Sequence, residues 1–240
     1  MSGITTLYLV RHCEAEGNWR RTFQGHTDSE VSDKGRRQLE KLAQRFAPIH
    51  LDAVYSSPLK RAVATAQAID RAAGLPIQLE PDVIEINGGR FEGVPFADLP
   101  RLFPVEQEAW ERHPEAFVAP GGESMAQVYA RMQAAIARIV AAHPGETVAV
   151  ASHGCAIRNY QCYACGWDLS RLNELGWSDN TAVSKFEFEE GDPHPRILYL
   201  SDASHLGEGD STLATQDWWK SAPQPGLPEA LRQGQEAVQR

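Results

Sequence analysis

Cysteine is scarce in this sequence, and long apolar runs are missing. The 240 residues include 4 cysteines, which are Cys13, Cys155, Cys162 and Cys165. Such a small and unevenly spaced set excludes the disulfide framework of a small secreted domain. No apolar stretch approaches the roughly 18 residues that cross a bilayer, and the N-terminus lacks the basic and apolar regions of a signal peptide. We therefore expect a soluble, cytoplasmic protein without membrane contacts.

Basic residues are outnumbered by acidic ones. The 23 lysines and arginines face 32 aspartates and glutamates, which gives a formal net charge of -9. Binding to nucleic acid or to an anionic membrane needs a basic surface, so we expect neither as a partner. An anionic substrate would need a pocket that is locally positive. The remaining composition, with 42% hydrophobic and 23% charged residues, is ordinary for a globular chain.

The spacing Cys162-x-x-Cys165 leaves two interpretations open. One is half of a zinc or redox site, although no second CxxC is present to complete it. The other is a pair of small apolar side chains on a helix, which the neighbouring Ile157, Tyr160 and Tyr163 favour. We therefore expect packing at this pair and no metal site in the protein.

Short apolar runs alternate with amphipathic segments along the chain, which is typical of an α/β fold. Strands are predicted at 6–10, 52–56, 77–79, 147–151, 182–188 and 196–200, the last two toward one edge of the sheet. Helices are predicted after Ser32 or Asp33, from Ser57-Pro58, from the capping box that begins at Ser124, and directly after His153. The polar segment 14–31 is predicted to be a loop.

Strong polar side chains follow these strands where each strand ends. Arg11 and His12 follow the first strand, His153 follows the strand at 147–151, and Arg61 lies in the first turn of a helix. Since the carboxyl ends of parallel strands meet at one edge of a sheet, we expect these groups to converge there. Each residue alone is also compatible with a surface ion pair, so their convergence is what indicates a site.

The converging groups suit phosphoryl transfer without a metal. Arginines and a charged imidazole stabilise the equatorial oxygens of a phosphoryl group, and a neutral imidazole supplies a nucleophile. Glu85 supplies a carboxylic acid that can protonate a leaving group. The helix that follows His153 is expected to offer free backbone amides to an anion at its N-terminus.

The alternation is interrupted at residues 81–122, which we interpret as a lid insertion beside the site. Its apolar residues are expected to pack locally or to contact the leaving group; they are Phe91, Phe96, Leu99, Leu102, Phe103 and Trp110. Residues 207–240 are interpreted as a tail that packs on the body through Trp218-Trp219. The final dozen residues are expected to be mobile.

The motifs together resemble the histidine phosphatase superfamily, which has the phosphoglycerate-mutase-like fold, from about Thr6 to Leu206. The matching runs are Arg11-His12 with Asn18, Gln24-Gly25, Ser56-Ser57-Pro58-Leu59-x-Arg61-Ala62, Glu85-Ile86-Asn87-x-Gly89-x-x-Glu92-Gly93 and Ser152-His153-Gly154. The resemblance implies a three-layer α/β/α sandwich on a mostly parallel sheet with an antiparallel edge strand. Residues 1–206 would form this domain, with the insertion at 81–122 inside it, and no cofactor would be needed.

The resemblance also implies a role for each site residue. His12 would become phosphohistidine, and Glu85 would first donate a proton and then accept one from water. The phosphoryl oxygens would be bound by Arg11, Arg61 and His153. Supporting contacts to the substrate would come from Asn18, Gly154 and a backbone amide near Gln24 or Gly25. This scheme requires a neutral His12 and a charged His153.

Two departures from the family pattern concern the surroundings of this chemistry. Cys13 stands where glycine is usual, and Asn87 stands where an aromatic residue is frequent. Cys13 and Cys155 are expected near the pocket rim, where either redox control or simple packing would explain them. Asn87 would change what the pocket admits rather than the chemistry.

The resemblance leaves three functions open. A phosphomonoesterase similar to α-ribazole phosphatases and broad-specificity family members is favoured. A phosphoglycerate mutase is less favoured because Arg90, Arg101 and Arg112 are scattered singly instead of forming an adjacent pair. The third is a catalytically idle protein that binds phosphorylated ligands. A small phosphorylated metabolite is the expected partner, and the protein is expected to be a monomer or a homodimer.

Overall fold

The first strand, β1 (Thr5–Arg11), lies inside a six-stranded sheet in the computed structural model, which describes residues 3–192 and 194–215. The other strands are β2 (Ala53–Ser56), β3 (Ile77–Leu79), β4 (Thr147–Ser152), β5 (Val183–Phe188) and β6 (Arg196–Asp202). Their order is β3-β2-β4-β1-β5-β6. The pairs among β3, β2, β4 and β1 are parallel, whereas β5 is antiparallel to both β1 and β6. The predicted mostly parallel sheet with an antiparallel edge is confirmed.

Helices cover both faces of this sheet, which confirms the predicted three layers. They are α1 (Glu16–Arg20), α2 (Asp33–Phe46), α3 (Lys60–Ile69), α4 (Leu99–Leu102), α5 (Pro104–Arg112), α6 (Met125–Ala142), α7 (Gly154–Ala164) and α8 (Thr212–Thr215). None of the helices in the described ranges is long and apolar enough to cross a membrane.

The alternation of side chains along β1 separates two hydrophobic cores. Tyr8 and Val10 pack in the core that contains the buried faces of α2 and α3. Leu7 and Leu9 pack in the other core, with the buried faces of α6 and α7. Because successive side chains of a strand point to opposite faces, a single apolar run serves both cores.

Two helix starts follow the predicted capping chemistry. The Ser32 hydroxyl accepts the Gly35 N–H at 3.0 Å at the start of α2. At the start of α6, Ser124 and Gln127 form a reciprocal capping box, with hydrogen bonds of 2.8 and 3.1 Å. Each of these side chains satisfies a backbone group that the first helical turn leaves unpaired.

Two local predictions are wrong. Helix α3 begins at Lys60 with Leu59 as its N-cap, not at Ser57-Pro58. The Lys60 N–H donates instead to Asp28 at 2.8 Å, a contact from a distant loop that local propensity cannot reveal. The segment 14–31 is not entirely a loop, since α1 lies inside it.

The insertion at 81–122 packs around its own aromatic residues. The ring centroids of Phe91 and Phe103 are 4.9 Å apart, as are those of Trp110 and Phe117. Phe23, from the segment after α1, joins this cluster at 5.4 Å from Phe91. Aromatic clusters of this kind contribute both apolar burial and favourable edge-to-face geometry. The insertion is thereby attached to the loop that follows β1.

The segment at 210–213 is anchored beside the start of the chain. Asp179 accepts the Thr212 N–H at 2.9 Å, and the Thr212 hydroxyl donates to Glu14 at 3.1 Å. Gln38 donates to the Asp210 carbonyl at 2.7 Å. The predictions for Trp218-Trp219 and for the end of the tail lie outside the described residues.

We expect Leu42→Ala to lower the free energy of unfolding by about 2–5 kcal/mol, because it empties a site in the core beneath α2 and α3. Leu42 is fully buried, whereas Leu79 is 59% exposed and provides the control Leu79→Ala. Urea titrations of the two variants would measure the difference. Equal losses in both variants would contradict the description of this core.

Candidate active site

His12 and His153 lie together where β1 and β4 end. Their ring centroids are 5.1 Å apart, and both side chains are buried. Nδ1 of His12 lies 2.6 Å from the Cys13 carbonyl oxygen. A carbonyl only accepts hydrogen bonds, so Nδ1 carries the proton of the neutral ring and Nε2 is left with the lone pair. The nitrogen suited to nucleophilic attack is therefore Nε2.

The surroundings of His12 favour its neutral form. Burial lowers the pKa of His12 well below the ordinary value of 6.5, and the positive charges of Arg61 and Arg11 lower it further. The hydrogen bond to the Cys13 carbonyl acts in the opposite direction and is outweighed. The expectation of a neutral imidazole at His12 agrees with this arrangement.

Hydrogen bonds fix the backbone on either side of the His12 ring. Asn180 donates from Nδ2 to the His12 carbonyl at 2.9 Å, and the Cys13 N–H donates to the Thr65 hydroxyl at 2.9 Å. Cys13 is fully buried and has no positive φ, so it occupies the usual glycine position without strain.

The thiols near the site are protonated packing groups. Burial raises the pKa of Cys13 to about 11 and the pKa of Cys155 well above its ordinary value. Cys155 lines the cleft, but Cys13 does not, so the expectation that both lie at the rim is wrong for Cys13. Since the thiolate is the reactive form, packing is the better interpretation of both residues.

Arg11 and Arg61 are buried cations with unused donors. Arg11 donates to the Ser178 carbonyl, and Arg61 donates to the carbonyls of Thr27 and Gly25 at 2.7 and 2.9 Å. The Nε atoms of both arginines are enclosed and lack a hydrogen-bond partner among the described residues. Burial lowers the pKa of Arg61 to about 10, so it stays charged at neutral pH. Unpaired buried donors of positive charge are the feature expected of an anion site.

The protein groups around His153 favour its neutral form. Burial lowers its pKa well below the ordinary value, and the nearby Arg61, His12, Arg131 and Arg11 all act in the same direction. No carboxylate is among the causes of this shift, so the charged form expected of His153 depends on a bound phosphate and stays a prediction. Nε2 of His153 lies 2.7 Å from the Ser57 hydroxyl, and Nδ1 is enclosed without a partner in the described part of the chain.

Glu85 occupies the N-terminus of α7. Its carboxylate accepts the N–H groups of Cys155 and Ala156, each at 3.0 Å, and the Ile86 N–H at 2.9 Å. Acidic groups are stabilised at this end of a helix by its unpaired N–H groups and its dipole. The prediction that these amides are free for a substrate anion is therefore wrong for Cys155 and Ala156. They orient the carboxylate of Glu85 instead.

The loop that contains Gln24 and Gly25 is held by Glu92. The Glu92 carboxylate accepts the N–H groups of Gly25, His26 and Thr27 at 3.2, 2.8 and 3.0 Å. Of the backbone amides expected to bind phosphate near Gln24 or Gly25, that of Gly25 is already engaged by Glu92, and the expectation itself stays a prediction. Gly25 acts through its carbonyl, which binds Arg61. A side chain at Gly25 would place a Cβ 2.1 Å from the Ile86 carbonyl oxygen.

Arg131, on α6, organises the loop before Glu85. Its guanidinium donates to the carbonyls of Asp82, Ile84 and Glu85 at 2.8, 2.6 and 3.0 Å. It also forms an ion pair with Glu123 at 2.9 Å. A planar guanidinium with several donors can fix several carbonyls at once, which a lysine cannot do. Arg131 thus positions the backbone that carries Glu85.

These groups open onto a cleft of about 1080 Å³. The site residues predicted from sequence that line it are Arg11, His12, Asn18, Gln24, Glu85 and Gly154. Arg61, His153 and Gly25 do not line it and are buried in the structure behind it. The structure therefore brings the predicted residues together in two layers, with Arg61 and His153 supporting the layer that faces the cleft.

The apolar side of the cleft comes partly from the insertion. Phe91, Phe96, Leu99 and Trp110 line it, while Phe103 is buried in the aromatic cluster and Leu102 is 45% exposed. Some of these apolar residues therefore line the cleft and others pack locally, a distinction that the sequence alone did not make.

Cys162 and Cys165 behave as packing residues. Cys162 lies in α7, and its Sγ donates to the Asp168 carbonyl at 3.2 Å. Burial raises the pKa of Cys162 to about 12 and that of Cys165 to about 11, so both remain thiols. Within residues 3–192 and 194–215 no group of three or more His, Cys, Asp or Glu is placed to hold a metal ion.

The fold and the paired histidines define a class, an α/β protein built for phosphoryl chemistry at the ends of its strands. Residues 7–201 match the family described as the histidine phosphatase superfamily (branch 1). The chain belongs to this family. The family and the relatives described next confirm the predicted class, a phosphatase that hydrolyses phosphomonoesters.

Several relatives cover most of this chain. Phosphoserine phosphatase 1 of Hydrogenobacter thermophilus is 37% identical over 205 residues, covering 85% of this chain and 96% of the relative. Phosphoglycerate mutase-like protein 4 of Arabidopsis thaliana is 34% identical over 205 residues, covering 84% and 87%. The structure of Bacillus stearothermophilus YhfR matches with a TM-score of 0.80 at 29% identity, covering 85% of this chain and 100% of that one.

A second structural match contains a ligand. It is a mutant phosphoserine phosphatase from Entamoeba histolytica in complex with phosphoserine. This match has a TM-score of 0.75 at 26% identity, and it covers 85% of this chain and 100% of the phosphoserine phosphatase chain.

Sequence reasoning missed Arg131 and Trp177 and gave Glu92 no role of its own. Glu92 stood inside the acid-loop motif, so its position was visible but its partners were not. Arg131 lies in α6, far from every motif, and its polar side chain within a predicted helix carried no signal. Trp177 lines the cleft from an irregular segment that has no periodic pattern.

We expect Arg131→Met to lower kcat about 10- to 100-fold with a small change in KM, because a displaced Glu85 is misaligned with the leaving group. The control is Arg138→Met, two turns further along α6, where an exposed arginine binds Glu80 and Asp82. Steady-state kinetics of both variants would check this. Equal kcat values in the two variants would contradict the positioning role of Arg131.

We expect Glu92→Gln to lower the free energy of unfolding at pH 7 by about 1–3 kcal/mol, since charge-assisted hydrogen bonds are lost. Burial raises the pKa of Glu92, but hydrogen bonds from Thr27, His26 and Gly88 outweigh it and bring the pKa below its ordinary value of 4.5. A lowered pKa stabilises the folded state above the unfolded pKa, and this contribution disappears as the pH falls through the folded value.

The difference between wild type and Glu92→Gln should therefore shrink below about pH 4.5. Denaturant titrations at several pH values would measure it, with the exposed Glu108→Gln as the control. A difference that is independent of pH would contradict the role of the Glu92 carboxylate.

Proposed function

We propose that this phosphatase acts through a phosphohistidine formed at Nε2 of His12, without a metal ion. The observation that carries the proposal is the position of His12, whose Nδ1 lies 2.6 Å from the Cys13 carbonyl oxygen. Burial, with Arg61 and Arg11 nearby, lowers the pKa of this imidazole and favours its neutral form. An uncharged ring with one free lone pair beside two buried guanidinium groups is suited to attack an anionic phosphomonoester.

In the first step, Nε2 of His12 attacks phosphorus and the bond from phosphorus to the ester oxygen breaks. Glu85, in its protonated form, gives its proton to that oxygen, and the alcohol leaves. The oxygens of the phosphoryl group are stabilised by Arg11 from the cleft wall and by Arg61 from behind it. Because the transition state is loose, this electrostatic stabilisation carries most of the catalysis.

In the second step, water attacks the phosphohistidine and gives a proton to the Glu85 carboxylate. The bond between phosphorus and Nε2 breaks, so inorganic phosphate leaves and His12 returns to its neutral form. A phosphoryl dianion favours the protonated form of His153, opposite to the effect of the surrounding arginines. Asn18, Gln24 and Gly154 line the cleft beside this centre and contact the substrate.

The proposal extends to the organisation of the chain and to its location. Residues 1–206 form the catalytic unit, and the insertion at 81–122 selects the leaving group. The four cysteines are free thiols, the state that a reducing cytoplasm maintains, which supports a cytoplasmic enzyme. A monomer or a homodimer stays the prediction for the oligomeric state.

A panel of phosphomonoesters without added metal tests this function. It includes phosphoserine, phosphosugars, α-ribazole phosphate and 3-phosphoglycerate with its bisphosphate primer. We expect phosphate release by wild type, its loss in His12→Ala, and normal turnover in His50→Ala, which changes an exposed histidine. Radiolabelled substrate should leave an acid-labile label on wild type and none on His12→Ala.

The outcomes separate the alternatives. Isomerised phosphoglycerate in place of free phosphate would support the mutase. Binding of phosphomonoesters without any turnover would support the idle ligand-binding protein. Full activity of His12→Ala would contradict the proposed nucleophile.

A further inference from the structure

Arg158, on α7, is a buried cation that the proposed chemistry does not use. It is 5% exposed and lines the cleft. Burial lowers its pKa to about 10, so the side chain is charged at neutral pH. No carboxylate forms an ion pair with it in the part of the chain that the structure describes. A buried charge without a counter-ion is costly, and such groups are usually paired.

The guanidinium of Arg158 is held in one orientation. Its Nη2 donates to the carbonyls of Leu172 and Leu175 at 3.0 and 2.9 Å and to Asn173 Oδ1 at 3.1 Å. Its plane lies against Trp177, with 4.2 Å between Cζ and the ring centroid. Nε is enclosed without a partner, and Nη1 makes no hydrogen bond to any described residue. The guanidinium is therefore fixed in orientation but still has hydrogen-bond donors without a partner among the described residues.

Arg158 lies on the same wall of the cleft as Arg11, which belongs to the phosphoryl site. Gly154 and Arg158 are four residues apart on α7, so they share a face and are separated by about one helical turn, roughly 5–6 Å along the axis. A Cβ at Gly154 would be 3.3 Å from Nε of Arg11 and 3.4 Å from the Trp177 ring. Arg11, Gly154, Trp177 and Arg158 therefore form one continuous wall of the cleft, with a cation at each end.

The carboxylates of the cleft are already engaged elsewhere. Glu85 binds the amides of α7, Glu174 pairs with Arg171 at 2.7 Å, and Glu111 accepts from Gln107 at 2.8 Å. The exposed Arg21 and Arg112 line the same cleft and add to its positive charge. The cleft is thus locally positive in a protein whose net charge is -9. Such a field favours anionic ligands.

We propose that Arg158 binds a carboxylate on the leaving group, so that the preferred substrates are small phosphorylated acids. This inference rests on the proposed function, because it takes the phosphoryl end of the substrate to bind at Arg11 and His12. Gly154, which lies against Arg11, is one helical turn from Arg158, and a spacer of a few carbon atoms matches that separation. A singly charged carboxylate suits the one open guanidinium nitrogen and is easier to desolvate beside Trp177 than a second phosphate.

A matched pair of substrates tests the assignment. 3-Phosphoglycerate and glycerol 3-phosphate differ only in a carboxylate where the other has a hydroxymethyl group. We expect wild type to favour 3-phosphoglycerate in kcat/KM by at least about tenfold, the order of a charge-assisted hydrogen bond. A wild type without this preference would overturn the inference.

The variant Arg158→Gln should reduce this preference about 10- to 100-fold, with most of the change in KM for 3-phosphoglycerate. Arg158→Lys, which keeps the charge but not the planar donor geometry, should recover part of it. Arg138→Gln is the control, because Arg138 is an exposed arginine outside the cleft whose partners, Glu80 and Asp82, also lie outside it. Equal losses for both substrates in Arg158→Gln would mean that Arg158 only supports the fold, which would overturn the inference.

Calorimetry separates this inference from the proposed function. The His12→Ala protein binds both compounds without turnover, and the additional change Arg158→Gln should remove its preference for 3-phosphoglycerate. If wild type hydrolyses neither compound but this binding preference is found, the proposed function fails and the carboxylate site stands. If hydrolysis is normal and binding shows no preference, the carboxylate site fails alone.

Discussion

Arg61 is a fully buried cation whose hydrogen bonds go to main-chain carbonyls and not to a carboxylate. Its charge faces His12 and His153, where it lowers both pKa values. Its two carbonyl partners come from the loop that Glu92 holds in place. Glu85, Asp28 and Glu92 oppose part of the effect of burial on the pKa of Arg61, but none of them forms an ion pair with it among the described residues. A buried charge without a directly paired carboxylate lowers the stability of the fold, and here it favours neutral imidazoles and the binding of an anion.

The hydrogen bonds around this charge form two clamps on the catalytic loops. Glu92 joins residues 25–27 to Gly88, and Arg131 joins α6 to the backbone before Glu85. Helix α7 then fixes the carboxylate itself. Arg131 binds the loop of Glu85 to a helix, whereas Glu92 binds two irregular segments to each other. Preorganisation of this kind lets a site of irregular segments act as a precise one.

Much of this arrangement could be predicted from the sequence. Buried strands show as short apolar runs, and the polar residues that end them must meet at one sheet edge, so Arg11, His12 and His153 were found together. Contacts between distant segments left no local trace: Asp28 sets the start of α3, and Glu85 uses the amides of α7. The pKa of His153 depends on burial and on the total of nearby charges, which packing in three dimensions sets and no local pattern reveals.

The cleft is built from both extremes of the described chain. Thr212 and Leu213 line it together with Arg11 and His12. Thr212 is fixed there by hydrogen bonds to Asp179 and Glu14. Strand β1 also pairs with β4, whose residues are synthesised much later. During translation, the first strand therefore leaves the ribosome long before its neighbours exist. The wall formed by Thr212 and Leu213 exists only when synthesis has passed residue 213, so shorter chains carry His12 without this part of the cleft.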